Sequence, residues 1–236
     1  MLYTTSELKH FFDNYNSIES YRLNYPDENV IRFLKSNFSN KKCHQNILDL
    51  GFGSGRHLKL LFELGFNGYG IDFSSVASSY VCNKFVDDNI KSYIVTANMV
   101  NLPFKSDFFD GIIEHATLVN NSWSDILSAA HESHRVLKKG GRGFFLLKRI
   151  EDCAFQYAKH IQDGIYISKE SEYLSSGFND NTVLQFKAFS IEDIQEMFSD
   201  FHMVKIHTWD NSFKDLDLSK EPNERRTAYW IVVVEK

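Results

Sequence analysis

The chain has 236 residues, 43% of them hydrophobic, and 26 Lys and Arg against 31 Asp and Glu give it a formal net charge of −5. This length suits one α/β core and is short for two, and the absence of excess positive charge argues against a nucleic-acid partner. Three widely spaced cysteines without metal-ligand spacing predict neither a disulfide framework nor a metal site. With no signal peptide and no apolar run near the roughly 18 residues of a membrane span, we expect a cytoplasmic protein without membrane contact.

Apolar spacing along the chain predicts alternating strands and helices. Residues 1–25, rich in Tyr, Phe, Asn and Ser, predict a short helix and a lid segment, and an amphipathic helix follows from Pro26 to Phe38. Further helices are expected over residues 56–65, 74–86 and 123–137, and from Ser190, which with Asp193 forms an imperfect capping box. The predicted strands cover residues 46–50, 69–73, 93–97, 109–114, 144–147, 203–208 and 228–234.

Strands separated by helices of this length imply right-handed crossovers and parallel pairing. We therefore expect an α/β, doubly wound fold. Its sheet should be mostly parallel and seven-stranded, with a C-terminal antiparallel strand and helices on both faces.

A glycine-rich turn, Asp49-Leu50-Gly51-Phe52-Gly53-Ser54-Gly55, connects the first predicted strand to a helix. Glycines at alternate positions let a ligand approach the main chain near the N–H groups of a helix N-terminus. A tight turn without a ligand is the alternative, but it explains three glycines after an acid poorly. Asp72 ends the next strand, where a carboxylate can accept hydrogen bonds from ribose hydroxyls.

With these residues the sequence resembles the class I S-adenosylmethionine-dependent methyltransferases over roughly residues 26–150. The family's first motif, an acid followed by Gly-x-Gly-x-Gly, is matched without departure, and four more landmarks follow in the right order. The landmarks are Asp49 with Gly51, Gly53 and Gly55; Asp72; Asn98–Phe104; Phe108–Gly111; and His134–Arg142.

The resemblance implies a binding role for each matched position. The cofactor would be S-adenosyl-L-methionine, leaving as S-adenosyl-L-homocysteine, and Asn98 stands where the family usually carries Asp. Asp49 and the main chain of Gly51, Phe52, Gly53 and Gly55 would hold the methionine portion, Asp72 the ribose, Phe73 one face of adenine, Asn98 and Met99 the adenine edge, and Glu114 the region close to the transferred methyl.

Other side chains near this site have two interpretations. His115 is either a general base, because its pKa lies near neutrality, or a structural histidine at a strand end. Tyr15, Tyr21 and Arg22 either close over the substrate or serve as packing aromatics and a solvated charge. Arg56 and His57, which open the helix after the glycine turn, fit a structural role better.

The segment from 151 to 189 lies where the family builds a substrate cap, so it is the place to expect acceptor specificity. Its aromatic residues are Tyr157, Tyr166, Tyr173, Phe178 and Phe186. The resemblance thus divides a single methyltransferase domain into a lid segment (1–25), a cofactor-binding core (26–150), the cap (151–189) and a final helix and strands (190–236).

The expected activity is methyl transfer to an oxygen or nitrogen of a small molecule, such as a sugar or secondary metabolite. A non-catalytic S-adenosylmethionine-binding module is an alternative. An NAD-dependent oxidoreductase is a more distant one, since its Gly-x-Gly-x-x-Gly fingerprint counted from Gly51 places Arg56 at the third glycine. The segment after the fourth strand also lacks the motif of enzymes that methylate nucleic-acid bases.

Overall fold

The computed structural model describes residues 5–38, 44–156, 158–169, 183–215 and 223–236. Helices and strands alternate through most of this range. The helices are α1 (Thr5–Ser17), α2 (Glu28–Phe38), α3 (Arg56–Glu63), α4 (Ser75–Asp87), α5 (Trp123–Val136) and α6 (Ile191–Met197), with short 3-10 turns at Glu19–Tyr21, Leu118–Asn120 and Cys153–Phe155. The strands are β1 (Asn46–Leu50), β2 (Asn67–Asp72), β3 (Ser92–Thr96), β4 (Phe109–His115), β5 (Leu137–Lys148), β6 (Lys159–Gln162), β7 (Ile165–Lys169), β8 (Val183–Lys187), β9 (Met203–Asp215) and β10 (Asn223–Glu235).

Seven strands form the main sheet in the order β3-β2-β1-β4-β5-β10-β9. The first five are parallel, and β10 pairs antiparallel with both β5 and β9. The doubly wound fold with an antiparallel C-terminal strand is therefore confirmed. Because the strand order reverses between β1 and β4, a crevice opens at their carboxyl ends.

Each central strand buries both of its faces, since successive side chains point to opposite sides of the sheet. On β5, Phe144 and Leu146 face one core, while Phe145 and Leu147 face the other. Helices α2, α3 and α4 cover the first core, and α5 and α6 cover the second. The helices therefore lie on both faces of the sheet, as the alternating pattern predicts.

Serine side chains begin three of these helices. The Oγ atoms of Ser74, Ser122 and Ser190 accept hydrogen bonds from the third residue beyond each of them. The carboxylate of Asp193 also accepts the backbone N–H of Ser190 at 2.8 Å, so both hydrogen bonds of a capping box are present. A Ser-to-Asp spacing is sufficient here because the shorter acid still reaches the backbone.

The fifth strand is longer than predicted. It runs from Leu137 to Lys148. The preceding helix was predicted to end at Leu137, but it ends one residue earlier, at Val136. Lys138-Lys139-Gly140-Gly141 reads as a turn in sequence, but Gly140 donates its N–H to Lys236, and β10 pairs with β5 from Arg142 onward. Long-range pairing overrides the local turn preference.

The last two strands also exceed their predicted lengths. Both β9 and β10 have 13 residues and pair with each other from Met203↔Glu235 to Asp215↔Asn223. The outer part of this hairpin has no pairing with β5. It therefore lies outside the buried sheet and lacks the alternation of apolar residues by which a strand is recognised in sequence.

Strands β6, β7 and β8 form a second, antiparallel sheet that the sequence pattern does not indicate. Phe155 joins it to the core, since its ring lies 5.2 Å from Phe186 and 5.0 Å from Tyr166. These two aromatics of the predicted cap therefore pack internally. Tyr157, Tyr173 and Phe178 lie outside the described residues.

The N-terminal segment does contain a helix, α1, which packs against α4. Ser74 Oγ donates to Asp13 Oδ1 at 2.6 Å, and Leu8 and Phe11 are buried beneath the helix. This contact holds α1 over the carboxyl edge of the sheet. Among the described residues no helix is both long enough and apolar enough to cross a membrane.

Candidate functional site

The glycine-rich turn lies at the end of β1, in the crevice between β1 and β4. Gly51, Gly53 and Gly55 all have positive φ angles, of 73°, 51° and 77°. A Cβ on Gly51 would collide with Thr117 Cγ2, whereas a Cβ on Gly53 would have no atom within 4 Å. Gly51 therefore permits close packing of two loops, and Gly53 leaves its backbone open toward the space beside it.

Asp49, at the end of β1, is 1% exposed, and its Oδ2 atom has no hydrogen-bond partner among the described residues. Its other oxygen is 4.0 Å from His57 Nδ1. Burial, with smaller effects from Asp72 and Glu114, raises the pKa of Asp49 to about 7. A positively charged ligand beside Asp49 would therefore favour loss of its proton near neutral pH.

Asp72 lies at the end of β2 and connects that strand to the glycine turn. Its two carboxylate oxygens accept the backbone N–H groups of Gly53 and Ser74, each at 2.9 Å. Burial raises the pKa of this carboxyl, and the two hydrogen bonds oppose that effect. The acid thus lies beside the open Gly53 backbone.

Glu114 ends the run of buried residues on β4 and is fully buried. One carboxylate oxygen accepts the backbone N–H groups of Thr117 and Leu118. The other, Oε2, has no partner among the described residues, and burial raises the pKa of Glu114 to about 7. Three buried acids thus lie at or one residue before the ends of β1, β2 and β4, and no described residue places a cation in contact with them.

A cavity of about 160 Å³ lies against these three strand ends. It brings together Gly51, Gly53, Asp72, Phe73, Asn98 and Met99, all of which the resemblance predicts to bind cofactor. The side chain of Asn98 also accepts the Val100 N–H at 3.2 Å, so the carbonyl expected at the adenine edge forms an Asx turn.

Several residues that line this cavity were not predicted from the sequence. Gln185 reaches it from the second sheet, is 3% exposed, and leaves Oε1 without a hydrogen-bond partner among the described residues. Only the packing of β8 beside the Leu118–Asn120 turn, where Asn120 Nδ2 donates to the Gln185 carbonyl, places it there. The other unpredicted lining residues are Leu8, Phe12, Asn16, Ile71, Ala97, Ala116, Thr117, Asn120, Asn121, Ser122 and Asp125.

A second cavity of about 380 Å³ shares Gly51, Gly53, Tyr15 and other wall residues with the first. Tyr15, Tyr21 and Arg22 from the N-terminal segment all line it, as the lid interpretation requires. The rings of Tyr15 and Tyr21 stack at 5.1 Å, and the Arg22 guanidinium lies 3.9 Å from the centre of the Tyr80 ring.

His115 lines the second cavity with both of its ring nitrogens near protein groups. Arg56 Nη2 lies 3.2 Å from Nδ1, which must accept this contact, so we assign the ring proton to Nε2. Nε2 in turn lies 3.4 Å from Asp27 Oδ2. Burial alone would raise the pKa of Asp27, but His115 holds it below the ordinary value.

His57 has a structural position beneath this network. Its Nε2 atom accepts the backbone N–H of Asp27 at 3.3 Å, and burial lowers the pKa of His57 to about 2. The ring therefore stays neutral and fixes the loop that presents Asp27 to His115.

Lys148 and Tyr229 form a polar pair on the same cavity wall that sequence reasoning did not identify. Lys148 Nζ donates to Tyr229 Oη at 3.1 Å and to Asp152 Oδ1 at 2.8 Å. The two residues face each other in the antiparallel pairing of β5 and β10. No local motif marks them, because only this register brings them together.

The family model described as a methyltransferase domain matches residues 48–145, which include the glycine turn, Asp72 and Glu114. The chain therefore carries a methyltransferase domain over residues 48–145. It is an S-adenosylmethionine-dependent methyltransferase, with that compound as its cofactor. No protein of curated function matches the chain in sequence.

Solved structures show that this methyltransferase shares its fold with distant relatives. A protein from Pyrococcus horikoshii has 15% identity and a TM-score of 0.65, covering 94% of this chain and 99% of its own. A protein of echinomycin biosynthesis, where a disulfide bond is converted into a thioacetal group, has 17% identity and a TM-score of 0.66 with coverage of 97% and 93%. A SAM-dependent methyltransferase from Methanosarcina mazei has 16% identity and a TM-score of 0.62 with coverage of 89% and 98%.

Two buried acids of this methyltransferase fit the charge of S-adenosylmethionine. The cofactor carries a sulfonium and an ammonium, and the buried oxygens Asp49 Oδ2 and Glu114 Oε2 have no partner among the described residues. An unpaired buried carboxylate is costly, so a cation at this position is favourable. Among the described residues no group of three or more His, Cys, Asp or Glu is placed to hold a metal.

Replacing Gly53 by Val should abolish cofactor binding. The valine side chain would enter the space beside the turn, and its φ angle of 51° would be strained by roughly 1–2 kcal/mol. Gly140→Val is the matched control, since Gly140 also has a positive φ and an open Cβ position but lies outside both cavities. Calorimetric titration with S-adenosylhomocysteine should show loss of binding in Gly53→Val alone, and equal losses in both variants would contradict this role.

Binding of S-adenosylmethionine should release protons near neutral pH. Asp49 and Glu114 are partly protonated there because burial raises each pKa to about 7, and a cationic ligand favours their ionised forms. Affinity should rise between about pH 6 and 8, by up to about tenfold per pH unit for each group that ionises. Calorimetry in two buffers of different ionisation enthalpy measures the proton count. S-adenosylhomocysteine, which lacks the sulfonium, should release fewer protons, and equal release by both would show that these acids do not sense that charge.

Proposed function

We propose that this methyltransferase transfers the cofactor's methyl group to an oxygen or nitrogen of a small molecule, such as a sugar or secondary metabolite. The observation that carries the proposal is the second cavity, which adjoins the cofactor cavity at Gly51 and Gly53. Its volume of about 380 Å³ falls within the usual range for small-ligand sites. An acceptor there would lie beside the glycine turn.

We assign each matched residue to a part of S-adenosylmethionine from its position in the family's motifs. Asp72 and Phe73 would bind the ribose and adenine, with Asn98 and Met99 at the adenine edge. By the resemblance, Asp49, Glu114 and the main chain of Gly51, Phe52, Gly53 and Gly55 would hold the methionine portion near the reacting methyl. Of these residues Gly51, Phe52 and Gly53 line a cavity, whereas Asp49, Gly55 and Glu114 line neither cavity.

The walls of the second cavity support an acceptor of limited size. Tyr15, Tyr21 and Arg22 cover it from the N-terminal segment, and Leu184 reaches it from β8. We propose that residues 1–25 are a lid and residues 151–189 a cap, within a single domain of 236 residues. A nucleic-acid acceptor is disfavoured by the net charge of −5. The free thiol of Cys82 supports a cytoplasmic location.

S-adenosylmethionine supplies a methyl group that its positive sulfur activates toward a nucleophile. His115 is our proposed general base. Its Nε2 proton faces Asp27, so Nδ1 is the atom that would accept a proton when the acceptor replaces Arg56 beside it. The carboxylate of Asp27 then stabilises the imidazolium that forms.

Two other functions remain as outcomes of the test. A non-catalytic module would bind S-adenosylmethionine without turnover, and an NAD-dependent oxidoreductase would bind NAD at the same turn. The geometry disfavours the second, because Arg56 occupies the position of the third fingerprint glycine.

The first experiment compares S-adenosylmethionine, S-adenosylhomocysteine and NAD in one calorimetric series. We expect the first two to bind, NAD not to bind, and Asp72→Ala to abolish binding because the ribose loses its partner. Asp87→Ala, an exposed acid at the end of α4, is the control. A mass spectrometric screen of small-molecule acceptors for added methyl then separates catalysis from binding alone. An NAD isotherm, or cofactor binding without transfer to any acceptor class, would overturn the proposal.

His115→Gln should lower kcat by about 10²- to 10⁴-fold, the usual contribution of a general base, while leaving the Kd of S-adenosylhomocysteine unchanged. Steady-state kinetics with an acceptor from the screen, and calorimetry with S-adenosylhomocysteine, test both expectations. An unchanged kcat would show that alignment of the acceptor suffices and that His115 is structural.

A further inference from the structure

The second cavity is unusual in the sign of its charges. Its lining includes three cations and no Asp or Glu among the described residues. The cations are Arg22, Arg56 and Lys148. Neutral donors and acceptors complete the polar part of the wall, so the cavity as a whole favours a negatively charged occupant.

Only one of these cations has a carboxylate in contact with it. Lys148 pairs with Asp152 at 2.8 Å. Within the described residues no carboxylate oxygen lies within 4.0 Å of a guanidinium nitrogen of Arg22 or Arg56. Arg22 instead donates to the backbone carbonyl of Asn16, and Arg56 to that of Tyr25.

The cofactor can neutralise one guanidinium at most, because it carries a single carboxylate. Its sulfonium adds a further positive charge close to the same cavity. Asp27 and Asp49 stabilise the charge of Arg56 only from beyond contact distance. With one of the two arginines paired to the methionine carboxylate, the other still has no carboxylate among the described residues in contact with it. An anionic group on the acceptor would supply that contact.

Arg56 and Tyr229 are the groups placed to receive that anion. Arg56 is half-buried, contacts His115 and lines the second cavity together with Tyr229. The Tyr229 oxygen already accepts a hydrogen bond from Lys148 Nζ, so its own O–H is directed to donate elsewhere. A guanidinium and a hydroxyl donor on the wall of one cavity can both donate to the oxygens of a carboxylate.

Aromatic rings form the rest of the wall and indicate the shape of the acceptor. Tyr15 and Tyr21 stack on one another, and Phe11, Phe12 and Phe52 line the same space. Such surfaces favour a flat, apolar body over an extended hydroxylated chain.

We propose that the acceptor is an aromatic acid whose carboxylate binds Arg56 and Tyr229. This inference rests on the proposed function and names the substrate class of the same site. It assigns Arg56 and Tyr229 as specificity-determining residues, next to the proposed base His115.

The test uses the full chain saturated with S-adenosylhomocysteine, so that the cofactor's own carboxylate is already in place. Fluorobenzoates and their matched fluorobenzamides serve as probes, and ¹⁹F NMR measures their Kd. Each acid should bind at least about tenfold more tightly than its amide, as expected for hydrogen bonds to a charged group. Tyr229→Phe, which keeps the ring, and Arg56→Gln should each weaken acid binding roughly 3- to 10-fold without changing amide binding.

Tyr93→Phe and Arg32→Gln are the matched controls, since both side chains are exposed and lie outside the cavities. Circular dichroism of every variant shows that the fold is retained. Equal affinity for acid and amide, binding of neither, or acid affinity unaffected by both cavity variants would overturn the inference. Failure of the unsubstituted protein to bind S-adenosylhomocysteine would instead refute the proposed function. Failure of the inference and failure of the proposed function are therefore distinguishable.

Discussion

The site depends on three carboxylates buried at the carboxyl ends of adjacent parallel strands. Asp49, Asp72 and Glu114 lie at or one residue before the ends of β1, β2 and β4, and within the described part of the chain none has a cation in contact with it. Burying such groups raises their pKa and opposes folding unless backbone donors or a ligand compensate. Backbone N–H groups compensate Asp72 and half of Glu114. What remains is a negative site matched to a positively charged cofactor.

The acceptor side has the opposite charge. Arg22, Arg56 and Lys148 line the second cavity, and the acids nearby lie behind its wall, where Asp27 faces His115 and Asp152 pairs with Lys148. The glycine turn separates the two regions, and it can do so because glycine presents backbone without a side chain. A cationic cofactor and an anionic acceptor would therefore meet across Gly51 and Gly53.

Much of the core was predictable because its signals are local. The β1 strand and the starts of α3 and α5 match their predicted positions, since apolar periodicity and caps specify them within a few residues. The second sheet, the full length of β5 and the outer β9–β10 hairpin were missed. Their hydrogen bonds join residues far apart in sequence, so no short window contains the signal.

The sequence by itself determined the proposed cofactor half of the site. An acid, three glycines and a second acid lie at fixed spacing around one turn, and the chain connects them directly. Tertiary structure alone decided the proposed acceptor half, where Lys148 meets Tyr229 and Arg56 meets His115, and it alone brought Gln185 to the first cavity. Strand register and helix packing set these contacts across separations of 59 to 81 residues for the first two pairs, distances over which one sequence holds no pairing information.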